Sequence, residues 1–142
     1  MRGKKNWNRL HIKTLPDGQW IDRINTLLHA PFQVLVDFVE GEKPFKLINW
    51  TWNRKHRKAR REIAKLYCWW VRIRPARVEV DYEYDVYPPI AEWDEPIDDP
   101  DGKIEAAWNK YCEASWKQDE EWEKEDQKML HRLIQIRKYL WT

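Results

Sequence analysis

The chain has 142 residues, 42% of them apolar and 35% charged, with 26 Lys or Arg against 24 Asp or Glu. That length suits a single domain spanning 1–142 with one core, and eleven Trp are too many for a disordered chain. Two cysteines, Cys68 and Cys112, exclude a disulfide framework, stand in no metal-ligand spacing and fit a reducing, cytoplasmic setting.

Residues 1–8 form a basic start without the apolar stretch of a signal peptide, and no run approaches the roughly 18 apolar residues of a membrane span. The protein is therefore expected to be neither secreted by the usual route nor membrane-spanning. Leu10 and Ile12 alternate as in a strand, and Pro16, Asp17 and Gly18 signal a turn, so a short hairpin is expected there. The next segment is the most apolar. Pro31 suits the first turn of a helix and Gly41 its end. Phe32, Val34, Leu35, Val36, Phe38 and Val39 make this the core helix, with Gln33, Asp37 and Glu40 as its polar stripe.

Residues 51–77 give the clearest functional signal. Ala59, Ile63, Leu66, Tyr67, Trp70 and Ile73 keep one helical face inward. Arg54, Lys55, Arg57, Lys58, Arg60 and Arg61 crowd the first turns, where the helix macrodipole is already positive. Pro75 predicts a stop near Arg74. From Arg54 to Arg77 there are ten cations and one acid, Glu62; from Glu79 to Asp101 there are ten acids and no base. Such segregation bears on partners or self-pairing.

Val78, Val80, Tyr82, Tyr84 and Val86 alternate with Glu79, Asp81, Glu83 and Asp85, which predicts a strand, the minor β element of an otherwise helical fold. Four prolines make 87–102 an acidic connector. The run from Asp98 to Gly102 is no calcium loop: aligning Gly102 with the loop glycine puts Ile97 and Trp108 where acids are needed. Asp98, Asp99 and Asp101 read instead as a turn and helix cap. From Asp101 to Leu140 a helical period returns, as one long helix or as two broken in the polar middle. Its seam, with Met129, Leu133 and Ile136, can pair with a second copy as a homo-oligomer.

No Gly-rich phosphate loop is present, and His11, His29, His56 and His131 stand in no catalytic or metal spacing, so neither an enzyme nor a cofactor is expected. The basic helix can be a solvated face, can dock on an acidic protein, or can bind a nucleotide-containing anion. In the last reading Arg54, Arg57, Lys58, Arg60 and Arg61 contact phosphates and Trp50, Trp52 and Trp69 stack bases. The acidic segment, interleaved with Tyr82, Tyr84, Tyr87 and Trp93, can instead imitate a nucleic-acid backbone and occupy a nuclease or polymerase.

The stretch LLHAPFQVLVDFVE (27–40), a Trp-containing connector and LYCWWVRIRPAR (66–77) resemble a group of small proteins of tailed bacteriophages over roughly residues 5–77. The resemblance implies an accessory protein acting in the infected bacterial cytoplasm, where blocking host defence is a common role. In that setting sequestration of an immune nucleotide signal is one form that anion binding by the basic helix can take, and nucleic-acid binding is the other. The resemblance carries no site residues.

Overall fold

The structure is a computed structural model that describes residues 9–141. The basic residues at 1–8 lie outside the described residues. Four α-helices account for most of the rest: α1 (Arg23–Gly41), α2 (Pro44–Leu47), α3 (Arg54–Cys68) and α4 (Lys103–Gln135). A π turn, Trp69–Ile73, and a 3-10 turn, Arg74–Ala76, extend α3, and a last 3-10 turn covers Arg137–Tyr139. The chain forms two compact units, one running to Ala76 and resuming at Asp126, the other Arg77–Glu125. No described helix is long and apolar enough to cross a membrane.

The first unit holds the core. Phe32, Leu35 and Phe38 from α1 meet Ala59, Ile63 and Leu66 from α3, Met129 and Leu133 from α4, and Trp50, Trp69 and Trp70. The Phe32 ring stacks on Trp70, centroids 4.6 Å apart and planes 10° off parallel, and lies 5.3 Å from Trp69. Two adjacent indoles share this core where α3 passes into the π turn, with its wider i→i+5 closure. The helical path passes the expected stop at Arg74 and ends at Ala76.

Helix α1 starts eight residues before Pro31 rather than at it. An internal proline forfeits one backbone hydrogen bond and costs ~3 kcal/mol. Tertiary contacts offset this: Leu28 packs on the core, and the His29 ring meets Trp70 edge-on at 4.8 Å. Gln33 is also not on a solvent stripe. It is buried, donating from Nε2 to Asp37 Oδ1 at 2.8 Å and accepting at Oε1 from the Lys13 N–H at 3.1 Å. It pins the N-terminal segment in place of the expected hairpin, since residues 9–22 form turns without a ladder.

The expected strand is absent too; no strand forms among the described residues. A strand needs a neighbour for its backbone groups. Residues 78–80 find theirs in a helix side chain: Gln118 Oε1 accepts from the Val80 N–H at 3.0 Å, and Gln118 Nε2 donates to the Val78 carbonyl at 2.9 Å. The alternating tyrosines pack in this second unit without a sheet. Tyr82 stacks on Tyr87 at 5.2 Å and meets Trp108 edge-on at 5.1 Å. At the start of α4, Asp99 accepts from the Ile104 and Glu105 N–H groups, both at 3.1 Å, and Asp101 from Lys103 N–H at 3.3 Å, as the capping reading expects. Helix α4 is one helix of 33 residues, about 50 Å long.

Two outcomes follow from the core. Phe32→Ala should destabilise the first unit by about 3–5 kcal/mol, read as a lower urea midpoint in Trp fluorescence. The His29 ring, whose Nδ1 lies 2.7 Å from Thr14 Oγ1, has its pKa lowered from 6.5 to about 4, by burial first and then by the Arg74 charge. The unfolded chain then binds more protons between pH 6.5 and 4, so stability falls as pH drops through that window. His29→Gln should flatten that loss by on the order of 1 kcal/mol, allowing for solvent screening of a half-exposed ring, in denaturation midpoints at pH 7 and pH 4.5.

Candidate functional site

Helix α3 turns Ala59, Ile63 and Leu66 into the core. At 100° per residue this places Arg54, Arg57, Lys58, Arg61 and Lys65 together on the opposite side, along about 16 Å of helix. All five are exposed, as is Arg60 on the flank, where its guanidinium lies 5.2 Å from the Phe45 ring centroid. Glu62 does not neutralise them. Both its oxygens are taken by Arg132 of α4, at 2.5 and 2.8 Å, and these bonds hold its carboxyl below the usual range. Among the described residues, none of Arg54, Lys55, Arg57, Lys58, Arg60, Arg61 and Lys65 makes an ion pair.

The N-terminus of the helix is fixed by local hydrogen bonds. The Asn53 side chain caps it, accepting from the His56 N–H at 2.9 Å. Asn49 Oδ1 accepts from the Thr51 N–H and hydroxyl at 3.0 and 2.6 Å, and Arg57 donates to the Thr51 carbonyl at 3.1 Å. The turn before the helix is thereby tied to its first cation row.

The three tryptophans separate. Trp50 is buried, its indole N–H donating to the Pro44 carbonyl at 2.9 Å, and Trp69 is buried against Phe32. Neither offers a ring face to a ligand, which corrects the expectation that both stack bases. Trp52 is 77% exposed. Behind it stands the His56 ring at 5.1 Å, and behind that Tyr139 at 5.5 Å. This row brings exposed Arg137 and Lys138 to the same end of α3. Sequence reasoning missed Tyr139, Arg137 and Lys138 because 80 residues separate them from the helix they join. The C-terminal Lys-Tyr pair was the one local signal.

No protein-family model, curated protein or solved structure matches the chain.

The face is convex. A neighbouring depression lined by Val39, Lys43, Phe45 and Lys46 has a volume of about 210 Å³ and opens to solvent, below the ~300–1,000 Å³ of ligand pockets. Among the described residues, no group of three or more His, Cys, Asp or Glu can hold a metal ion. Such a surface can hold phosphates by charge and stack a base on an exposed indole.

The seam of α4 is placed differently from the expected self-pairing surface. Met129 and Leu133 are buried in the core of their own chain, and Ile136 packs against it. Polar substitutions there would unfold the first unit rather than separate copies. Asn53→Ala should cost about 1 kcal/mol and fray the first turn of α3, seen as faster amide exchange at His56 and Arg57.

Proposed function

We propose that the protein is a non-enzymatic binding protein that engages a nucleotide-containing polyanion through the exposed face of α3. The reading rests on Arg54, Arg57, Lys58, Arg61 and Lys65 lying on one helix face without an acid partner, next to exposed Trp52. An uncompensated row of this length costs self-repulsion and places cations at the helix end that disfavours them. A phosphate backbone along the row would relieve both. The convex surface favours an extended nucleic acid over a small nucleotide signal, which would need a cleft. Trp52, with His56 and Tyr139 behind it, supplies a stacking platform of the kind single strands use. The phage resemblance of residues 5–77 favours a role in the infected bacterial cytoplasm, where occupying such a ligand would counter host defence.

A second reading rests on the other unit. Asp94 Oδ2 accepts from the Ile90 and Ala91 N–H groups at 2.8 and 3.0 Å, closing a turn that holds Ile90 and Trp93 out among acids. That arrangement suits an inhibitor docking on a basic host protein.

One experiment separates the two: fluorescence anisotropy with a labelled single-stranded oligonucleotide. The variant Arg57→Glu/Arg60→Glu/Arg61→Glu should abolish binding with an unchanged circular dichroism spectrum. Trp52→Ala should weaken it about 5- to 100-fold. For the native chain, a log–log salt slope of about −3 to −4 is expected from four to five phosphate contacts. Binding that survives the triple reversal sinks the α3 reading. Loss of host-protein binding only with Asp81→Asn/Glu83→Gln/Asp85→Asn would favour the second.

A further inference from the structure

Helix α1 buries Phe32, Leu35 and Phe38 but leaves a second apolar stripe uncovered. Ile24, Leu27, Pro31 and Val34 follow one another at steps of three, four and three, and Trp20 stands four residues ahead. This is the a/d spacing of a helix-pairing seam, which runs nearly parallel to the helix axis. Exposure is 86% at Trp20, 71% at Ile24, 68% at Leu27 and 45% at Val34. Trp20 lies in the irregular segment ahead of the helix; taking roughly 60–120 Å² for an aliphatic side chain, Ile24, Leu27 and Val34 expose about 110–220 Å² of apolar surface in one line.

We infer that this stripe is the interface of a homodimer, in which α1 of one copy packs antiparallel on α1 of another about a two-fold axis near residues 29–30. The seam is self-complementary under that operation. Ile24 meets Val34 of the second copy, and Leu27 meets its Pro31, so each layer pairs a larger with a smaller side chain. The charges at the flank agree. Arg23, Ala30 and Asp37 occupy the same position beside the seam at seven-residue intervals. In an antiparallel pair, identical flanks face each other, so Arg23 of each copy meets Asp37 of the other and the small Ala30 lies at the axis. A parallel pair would leave these charges without each other. Both Arg23 and Asp37 are exposed and neither makes an ion pair among the described residues.

A stripe of this size gives a small, reversible contact, so its specificity lies in the Arg23–Asp37 pairs at the flank. The dimer would carry two α3 faces without using any residue of either, so it stands or falls independently of the ligand.

The test is sedimentation velocity on the full chain from about 1 to 200 µM, where the dimer fraction should rise with concentration by mass action. Leu27→Asp should weaken association at least about tenfold with an unchanged circular dichroism spectrum and urea midpoint at 1 µM, because the side chain is exposed in the monomer. Arg23→Asp and Asp37→Arg should each weaken it, and the double exchange Arg23→Asp/Asp37→Arg should restore it. A merely structural role for either residue would not give that rescue. A chain that stays monomeric at 200 µM overturns the inference, as does a dimer indifferent to Leu27→Asp. Co-flotation of the monomer with anionic lipid vesicles, lost in Leu27→Asp, would assign the stripe to a membrane surface and overturn it equally.

Discussion

The Phe32 ring sets the terms for the first unit. Its face is covered by Trp70 and its edge by Trp69, so two consecutive residues of one helix must reach the same aromatic surface. Successive side chains of an α-helix lie 100° apart, within the width of one apolar stripe, so both indoles reach it. The π turn at Trp69–Ile73 then carries the chain into the 3-10 turn that ends at Ala76. Arg74 emerges over the Trp70 ring at 5.0 Å and pairs with Asp126 at 3.0 Å, which ties the end of the basic helix to the returning part of α4.

That return also decides the charge on α3. Arg132, brought back by α4, takes the one acid of the helix in a two-pronged bond. The bridge fixes two helices and leaves the solvent side of α3 wholly cationic. The charges are thus divided: Glu62, Arg74, Asp126 and Arg132 pair with one another across elements, while Arg54, Arg57, Lys58 and Arg61 make no ion pair among the described residues.

Much of this was legible in the residue pattern, and the failures share a cause. Ala59, Ile63, Leu66 and Trp70 were readable as an inward face because an amphipathic helix repeats its period locally. Asp99 was readable as a cap for the same reason. The strand at 78–86 was misread because alternation reports a two-faced segment, not a neighbour, and the neighbour here is the side chain of Gln118. Pro31 was misread as a start because its local cost is outweighed by contacts to Trp70, some forty residues away. Within the site, the cations could be placed by helical arithmetic alone. Trp50 and Trp69 could not, since indole composition does not say which side of the ring meets the core.

The missing sheet has a consequence for how the chain behaves in company. Residues 78–86 keep the alternating pattern and much of the open backbone of an edge strand, the kind of surface on which further copies add to form fibres. Stacked in register, identical chains sit ~4.8 Å apart. Glu79, Asp81, Glu83 and Asp85 would then form four columns of like charge along any such stack. The acids act as a solubility guard built into the segment that needs one.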